Sequence, residues 1–201
     1  IEVNHMQAHI LSIFIKNNKI KPCFPFLALT ISGGHTQLVV VEDYFKMKEI
    51  GSTLDDAVGE AFDKSGKTIG LDYPSGPIID RLSKDGDPKA FTFTKPKVEN
   101  LNFSFSGLKT GFMNFIKKES LKNKSFIEDN INDICASIQN TIIEILIDKL
   151  KDAVKSTGIK EIVICGGVSA NSELRKRMDD LSASNKWNVY FPKIEYCTDN
   201  A

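Results

Sequence analysis

Glu161-Ile162-Val163-Ile164-Cys165 runs straight into Gly166-Gly167-Val168-Ser169-Ala170-Asn171, and from about Ser172 to Ser184 the pattern becomes that of a helix. A short, nearly continuous apolar strand, a glycine turn and a helix make up a unit of an α/β protein. A strand that turns through Gly-Gly into a helix start offers free N–H groups and a positive dipole end to an anion. No Gly-Lys-Ser/Thr follows, so this is not a P-loop, and the spacing is not that of a dinucleotide fingerprint. Asn171 also suits the capping position of the helix that follows.

Working outward, Val189-Tyr190-Phe191 predicts a last strand before Pro192. Upstream, Ile127 to Thr157 predicts one long amphipathic helix or a helix pair, and Ser106 to Lys118 another helix. Lys89 to Asn102 reads as irregular, and Asp85-Gly86-Asp87-Pro88 as a turn. A helix is expected from about Pro77 to Ser83, and a longer one from Leu54 to Ile69 with Gly70 as its C-terminal stop. Leu27 to Ile31 and Gln37 to Val41 are β-rich runs flanking Ser32-Gly33-Gly34-His35, which predicts a hairpin, with Lys46 to Ile50 as a third strand. Val3 to Ile15 has helical periodicity. The order is mixed α/β with a helix-rich middle third and no internal repeat.

The 201 residues suffice for a real core. Apolar residues make up 41% and charged residues 26%, the composition of a soluble globular protein. Lys+Arg and Asp+Glu both number 26, so no overall basic field draws the chain onto nucleic acid, and any such contact needs a local patch. No apolar run approaches a membrane span. Cys23, Cys135, Cys165 and Cys197 form no paired ligand motif and are read as buried, reduced thiols of a cytoplasmic protein. Ile1 is not a Met and Ala201 ends no element, so the chain is expected to be an internal piece of a larger enzyme.

His5 and His9 stand four apart, which places both on one helix face about 6 Å apart along the axis, a spacing that suits a shared metal ion. A distant carboxylate is the usual third ligand, and Asp199 is the candidate. An accident of amphipathic spacing is the plain alternative. A zinc-protease site needs Glu directly after the first His, and here Met6 follows. Successive glycines at Gly33 and Gly34 let backbone N–H groups approach a phosphate, unless the turn is simply a tight hairpin. Asp55, Asp56, Glu60 and Asp63 crowd one predicted helix, either as a solvated face or, for Asp56, Glu60 and Asp63, as a stripe facing a cleft. Tyr73-Pro74-Ser75-Gly76-Pro77 reads as a rigid turn that could wall a ribose or base pocket. Lys95, Lys97 and Lys109 interleave with Phe91, Phe93, Phe103 and Phe105, either as an RNA-binding surface or with the rings as core.

In this order the motifs resemble the tRNA N6-adenosine threonylcarbamoyltransferase family, earlier described as glycoproteases. The matching stretches are His5 to His9, Phe24 through Leu38, Asp55 through Lys64, Gly70 through Pro77, Phe103 through Thr110, Gly166 through Asn171, and Thr198 to Ala201. The resemblance covers essentially the whole chain, with Gln7 where many bacterial members carry Glu. It implies the duplicated, two-lobed α/β architecture of actin and the sugar kinases, truncated here at both ends. Residues 1–50 would be the remainder of an N-terminal lobe, 51–160 a helix-rich middle, and 161–201 the start of a C-terminal strand–turn–helix unit.

The resemblance also implies one divalent metal ion, iron or zinc, on His5, His9 and Asp199. It implies that Thr30, Ile31, Ser32, Gly33, Gly34, Asp63, Gly76, Asp80 and Asn171 line a pocket for threonylcarbamoyl-adenylate, with Asp63 or a neighbouring carboxylate orienting the donor or receiving the amine proton. The implied partners are tRNA and, in bacterial-type systems, a paralogous subunit and an ATPase, with no membrane; the implied compartment is the cytoplasm or an organelle. The truncated chain alone is expected to be inactive. The competing readings are a metalloprotease, an inactive scaffold paralogue, and an ATP-binding relative on the same fold.

Overall fold

The run Phe26-Leu27-Ala28-Leu29-Thr30-Ile31 does not alternate, because a central strand is covered on both faces. In the computed structural model, which describes residues 4–15 and 21–197, all six are buried in strand β1 (Phe26–Ile31). β1 pairs antiparallel with β2 (Thr36–Val41), which pairs antiparallel with β3 (Met47–Ser52). On its other side β1 pairs in parallel with β4 (Glu161–Cys165), and β4 with β5 (Asn188–Tyr190). The result is one five-stranded sheet of order β3-β2-β1-β4-β5. Strands from residues 26–52 and 161–190 therefore share one sheet, and the intervening chain supplies helices.

The two faces of β1 divide the core. Leu27, Leu29 and Ile31 face a large cluster that holds Phe62, Phe103, Phe105, Phe112, Ile142 and Leu146. These belong to or flank α2 (Val58–Thr68), α4 (Ser106–Lys122) and α5 (Phe126–Thr157), and the cluster also takes in α3 (Ser75–Leu82) and α6 (Ser172–Asn185). Phe26 and Ala28 face the other way, onto Ile10 of α1 (His5–Leu11) and Ile13. Among the described residues, α1 and the 3-10 turn Ser12–Phe14 that follows it are the helical segments packed on that face of the sheet.

Several boundaries differ from the sequence reading. The helix expected from Leu54 begins only at Val58. The preceding residues are held by other elements: Leu54 N–H donates to the Phe103 carbonyl and Thr53 N–H to the Thr36 carbonyl. Asp55 serves a different helix altogether. Its carboxylate accepts from the N–H groups of Phe105 (2.8 Å) and Ser106 (3.3 Å) and from the hydroxyls of Ser104 and Ser106, tying down the start of α4. The Tyr73–Pro77 turn is also shorter than expected, since α3 starts at Ser75 and takes Gly76 and Pro77 into its first turn, where proline is tolerated. α5 is one helix with a break at Asn130, whose side-chain amide donates to the Phe126 carbonyl.

Phe93, Phe103 and Phe105 are core residues, and Phe91 packs against them. Lys95 pairs with Asp148 and Glu144, and Lys109 with Asp56. The phenylalanines of this stretch therefore belong to the core and not to a stacking surface. Cys135, Cys165 and Cys197 are buried free thiols, whereas Cys23 is exposed because it lies ahead of β1, outside the sheet. Burial pushes the Cys135 and Cys165 thiols up to about 12, which keeps them protonated and unreactive.

Burial pushes the Asp55 carboxyl upward, but its hydrogen bonds from Phe105, Ser104 and Ser106 outweigh that and hold it below the usual value of 3.8. A depressed folded-state value means the stabilisation is complete above the ordinary carboxylate range and is lost as pH falls through it. Asp55→Ala is expected to cost about 1–2 kcal/mol at neutral pH, a capping-scale effect on a partly solvated group. Chemical denaturation from pH 7 down to pH 3 should show the gap between the two proteins closing; a gap that stays constant would contradict the assignment.

Candidate active site

Because β1 and β4 run in parallel as neighbours, their C-terminal ends lie side by side, and both glycine turns leave the sheet there. This is the edge at which α/β sheets bind ligands. At the end of β4, Gly166 adopts φ 90° and ψ 167°, and a Cβ on it would stand 2.5 Å from the Ile31 carbonyl oxygen of β1. Only glycine serves at that junction. At the end of β1, the Ser32–His35 turn closes on itself: Ser32 N–H donates to the His35 carbonyl at 2.9 Å, and His35 N–H to Ser32 Oγ at 3.1 Å. The side-chain side of Gly33 and Gly34 is open, while the Gly33 backbone packs against Gly59 at the start of α2, where a Cβ added at Gly59 would stand 2.8 Å from Gly33 Cα.

α2 starts against this turn. Val58 N–H donates to Thr36 Oγ1, and Gly59 N–H to the Ser32 carbonyl. Further along α2, Asp63 Oδ1 accepts from Ser75 N–H at 2.8 Å and holds the first residue of α3. Its Oδ2 has no protein donor among the described residues. One turn on, Asp80 receives the backbone N–H and the hydroxyl of Ser172, the first residue of α6. Asn171, just before it, caps α6 by accepting from Leu174 N–H at 2.9 Å, and its Nδ2 donates to Gln139 Oε1 at 2.7 Å.

α3 is thus held by Asp63 of α2 at its start and carries Asp80 near its end. Hydrogen bonds tie Asp63 to Ser75, next to Gly76, and Asp80 to Ser172, next to Asn171, along α3, although none of Asp63, Gly76, Asp80 and Asn171 lines the neighbouring cavity. Ser172 and Gln139, bonded to Asp80 and Asn171, line that cavity of about 430 Å³ with Lys84, Asn140, Lys176 and Arg177, large enough for a nucleoside-sized ligand. Thr30 and Ile31 contribute no exposed side chain: both are fully buried, with the Thr30 hydroxyl 3.5 Å from Cys165 Sγ. Any contact they make with a ligand is through the backbone.

α1 brings the histidines to the same edge. Asn4 Oδ1 caps it by accepting from Met6 and Gln7 N–H groups, and Ile10 and Ile13 anchor it on the sheet. His5 Nε2 and His9 Nε2 stand 3.2 Å apart. Two nitrogens bound to one zinc-sized ion at about 2.0–2.1 Å and a tetrahedral angle would be about 3.3 Å apart, so this pair fits a shared metal. Asp199 lies outside the described residues, and among those described no set of three His, Cys, Asp or Glu side chains is placed to hold an ion. The His35 ring centroid is 6.2 Å from that of His5, which puts the metal-type pair beside the Ser32–His35 turn. His35 and Gln139 went unassigned in the sequence reading; the pairing of β1 with α1, and of Asn171 with α5, is what marks them.

The five-stranded mixed sheet with its helices agrees with the α/β architecture of actin and the sugar kinases that the resemblance implies, and solved structures share the fold. The crystal structure of full-length HypF in its phosphate- and nucleotide-bound form superposes with a TM-score of 0.72 at 15% identity, over 98% of this chain and 34% of that one. Component A of the Acidaminococcus fermentans (R)-2-hydroxyglutaryl-CoA dehydratase superposes at 0.52, over 96% of this chain and 64% of that one, at 14% identity. A family model described as tRNA N6-adenosine threonylcarbamoyltransferase matches residues 1–201. The chain belongs to that family. Enzymes of that name from Christiangramia forsetii and Riemerella anatipestifer are 61% and 59% identical to it over the whole chain. The chain spans 59% of the length of each of these relatives.

Proposed function

We propose that this protein, at its full natural length, transfers the threonylcarbamoyl group of threonylcarbamoyl-adenylate to the exocyclic amine of the tRNA adenosine adjacent to the anticodon. The amine nitrogen bonds to the carbamoyl carbon, the bond from that carbon to the phosphate oxygen breaks, and AMP leaves as the amine loses a proton. What supports this reading is the hydrogen bonding of Asp63 to the start of α3 and of Asp80 and Asn171 to the start of α6, in a chain of this family.

AMP is a good leaving group, so the site has mainly to position its reactants. Backbone N–H groups of Gly33 and Gly34 hold the phosphate, where no side chain intervenes. The carboxylates Asp63 and Asp80 flank the ribose. Asp63, with Oδ1 held by Ser75 N–H, keeps Oδ2 to receive a ribose hydroxyl or the amine proton. Asn171 and the adjoining cavity receive the base. His5 and His9, with Asp199, would hold one iron or zinc ion, which as a Lewis acid would polarise the phosphoryl or carbamoyl oxygen. The protein would act in the cytoplasm beside a paralogous subunit and an ATPase; in the structure, no helix among the described residues is long and apolar enough to cross a membrane.

Elemental analysis of the purified full-length protein tests the metal assignment. One iron or zinc per chain is expected, lost in the His5→Ala/His9→Ala double variant. Equal metal in both proteins, or none in either, would overturn it.

A further inference from the structure

We propose that Gln139 is a positioning residue of this site, holding the Asn171 carboxamide in one orientation for the ligand. The inference rests on reading Asn171 as a contact of the adenylate. Gln139 lies on α5 and is only 3% exposed, yet it lines the cavity.

The directions of the bonds are forced. Leu174 N–H can only donate, so the Asn171 group facing it is the oxygen. The Asn171 nitrogen therefore faces Gln139, and the Gln139 group that meets it is Oε1. One Asn171 hydrogen is spent on Gln139, which leaves one N–H donor and one lone pair on a group that can no longer turn. Without an acceptor on α5, the cap alone holds Asn171 and its nitrogen loses its anchor. Among the described residues no group accepts from Gln139 Nε2, so the Oε1 end is the one the protein uses.

This predicts which replacements matter. A carboxylate at position 139 keeps the acceptor, and Lys84 and Lys176 around the cavity offset its charge, Arg177 there being paired with Glu173. Methionine keeps the volume and removes the acceptor, and alanine removes both. AMP binding, measured by isothermal titration on the full-length protein, is the test. Gln139→Met and Gln139→Ala should each weaken AMP by about five- to tenfold, the scale of one lost hydrogen bond, and Gln139→Glu should recover most of that loss. Two acceptor-less variants guard against one of them failing to fold.

Met and Ala variants that bind AMP as the wild type does, with lowered melting temperatures only, would show a purely structural role and overturn the proposal. So would a Glu variant as weak as Met. A wild-type protein that takes up no AMP at all would instead overturn the nucleotide reading of the site, and this inference with it.

Discussion

Gly166→Ala is expected to lower the unfolding free energy by about 3 kcal/mol or more and to abolish AMP binding. The backbone at Gly166, φ 90° and ψ 167°, lies in a region that is essentially glycine-only, where another residue costs about 1–3 kcal/mol. The added methyl would also meet the Ile31 carbonyl oxygen at 2.5 Å. That oxygen belongs to the neighbouring central strand, so it cannot swing away as a flexible side chain would. Relief requires β1 and β4 to separate at the edge where both glycine turns leave the sheet. Urea denaturation and AMP titration of the full-length protein give the two readouts. A loss below about 1 kcal/mol with AMP binding intact would show that the junction is less tightly determined than its geometry indicates.

Phe103→Ala is expected to cost about 3–5 kcal/mol, the range for emptying a buried aromatic site. Phe103 is fully buried, its ring centroid 6.4 Å from that of Phe105, and its backbone bridges to Ser52 and Leu54 on the sheet side. It closes the core over α2 and α4 just where Asp55 anchors the start of α4. Were the phenylalanines of this stretch an RNA-binding face, the same substitution would leave stability within about 0.5 kcal/mol of wild type. Equilibrium denaturation separates the two.

The core reading of these rings stood beside the RNA reading in the sequence, because lysines alternating with phenylalanines look the same in both. What decides is tertiary pairing: Lys95 on Asp148, Lys109 on Asp56, and the rings turned inward. The strand–glycine–helix unit at 161–172 was legible because its apolar run stops abruptly at two glycines and resumes with a different period. The hairpin at Ser32–His35 was legible for the same reason. The start of α2 was not, since local periodicity cannot register that Asp55 caps a helix about fifty residues away. Asp63, Gly76, Asp80 and Asn171 came from resemblance to a family, and no spacing in the chain says that one eight-residue helix joins them. Gln139 was invisible as one of several polar residues, beside Ser137, Asn140 and Thr141, in an apolar-rich helical run; only its partner across the fold reveals it. The buried side chain of Thr30 shows the converse, an expected pocket position whose side chain belongs to the core.

The most direct test of the central claim is mass spectrometry of the nucleosides from a tRNA carrying adenosine next to its anticodon, after incubation with the full-length protein and threonylcarbamoyl-adenylate, with and without the paralogous subunit and ATPase. Threonylcarbamoyladenosine is expected at that one position, formed by the wild-type protein and lost in Asp63→Ala and in His5→Ala/His9→Ala. Unmodified adenosine under every condition, or modification undiminished in both variants, would contradict it.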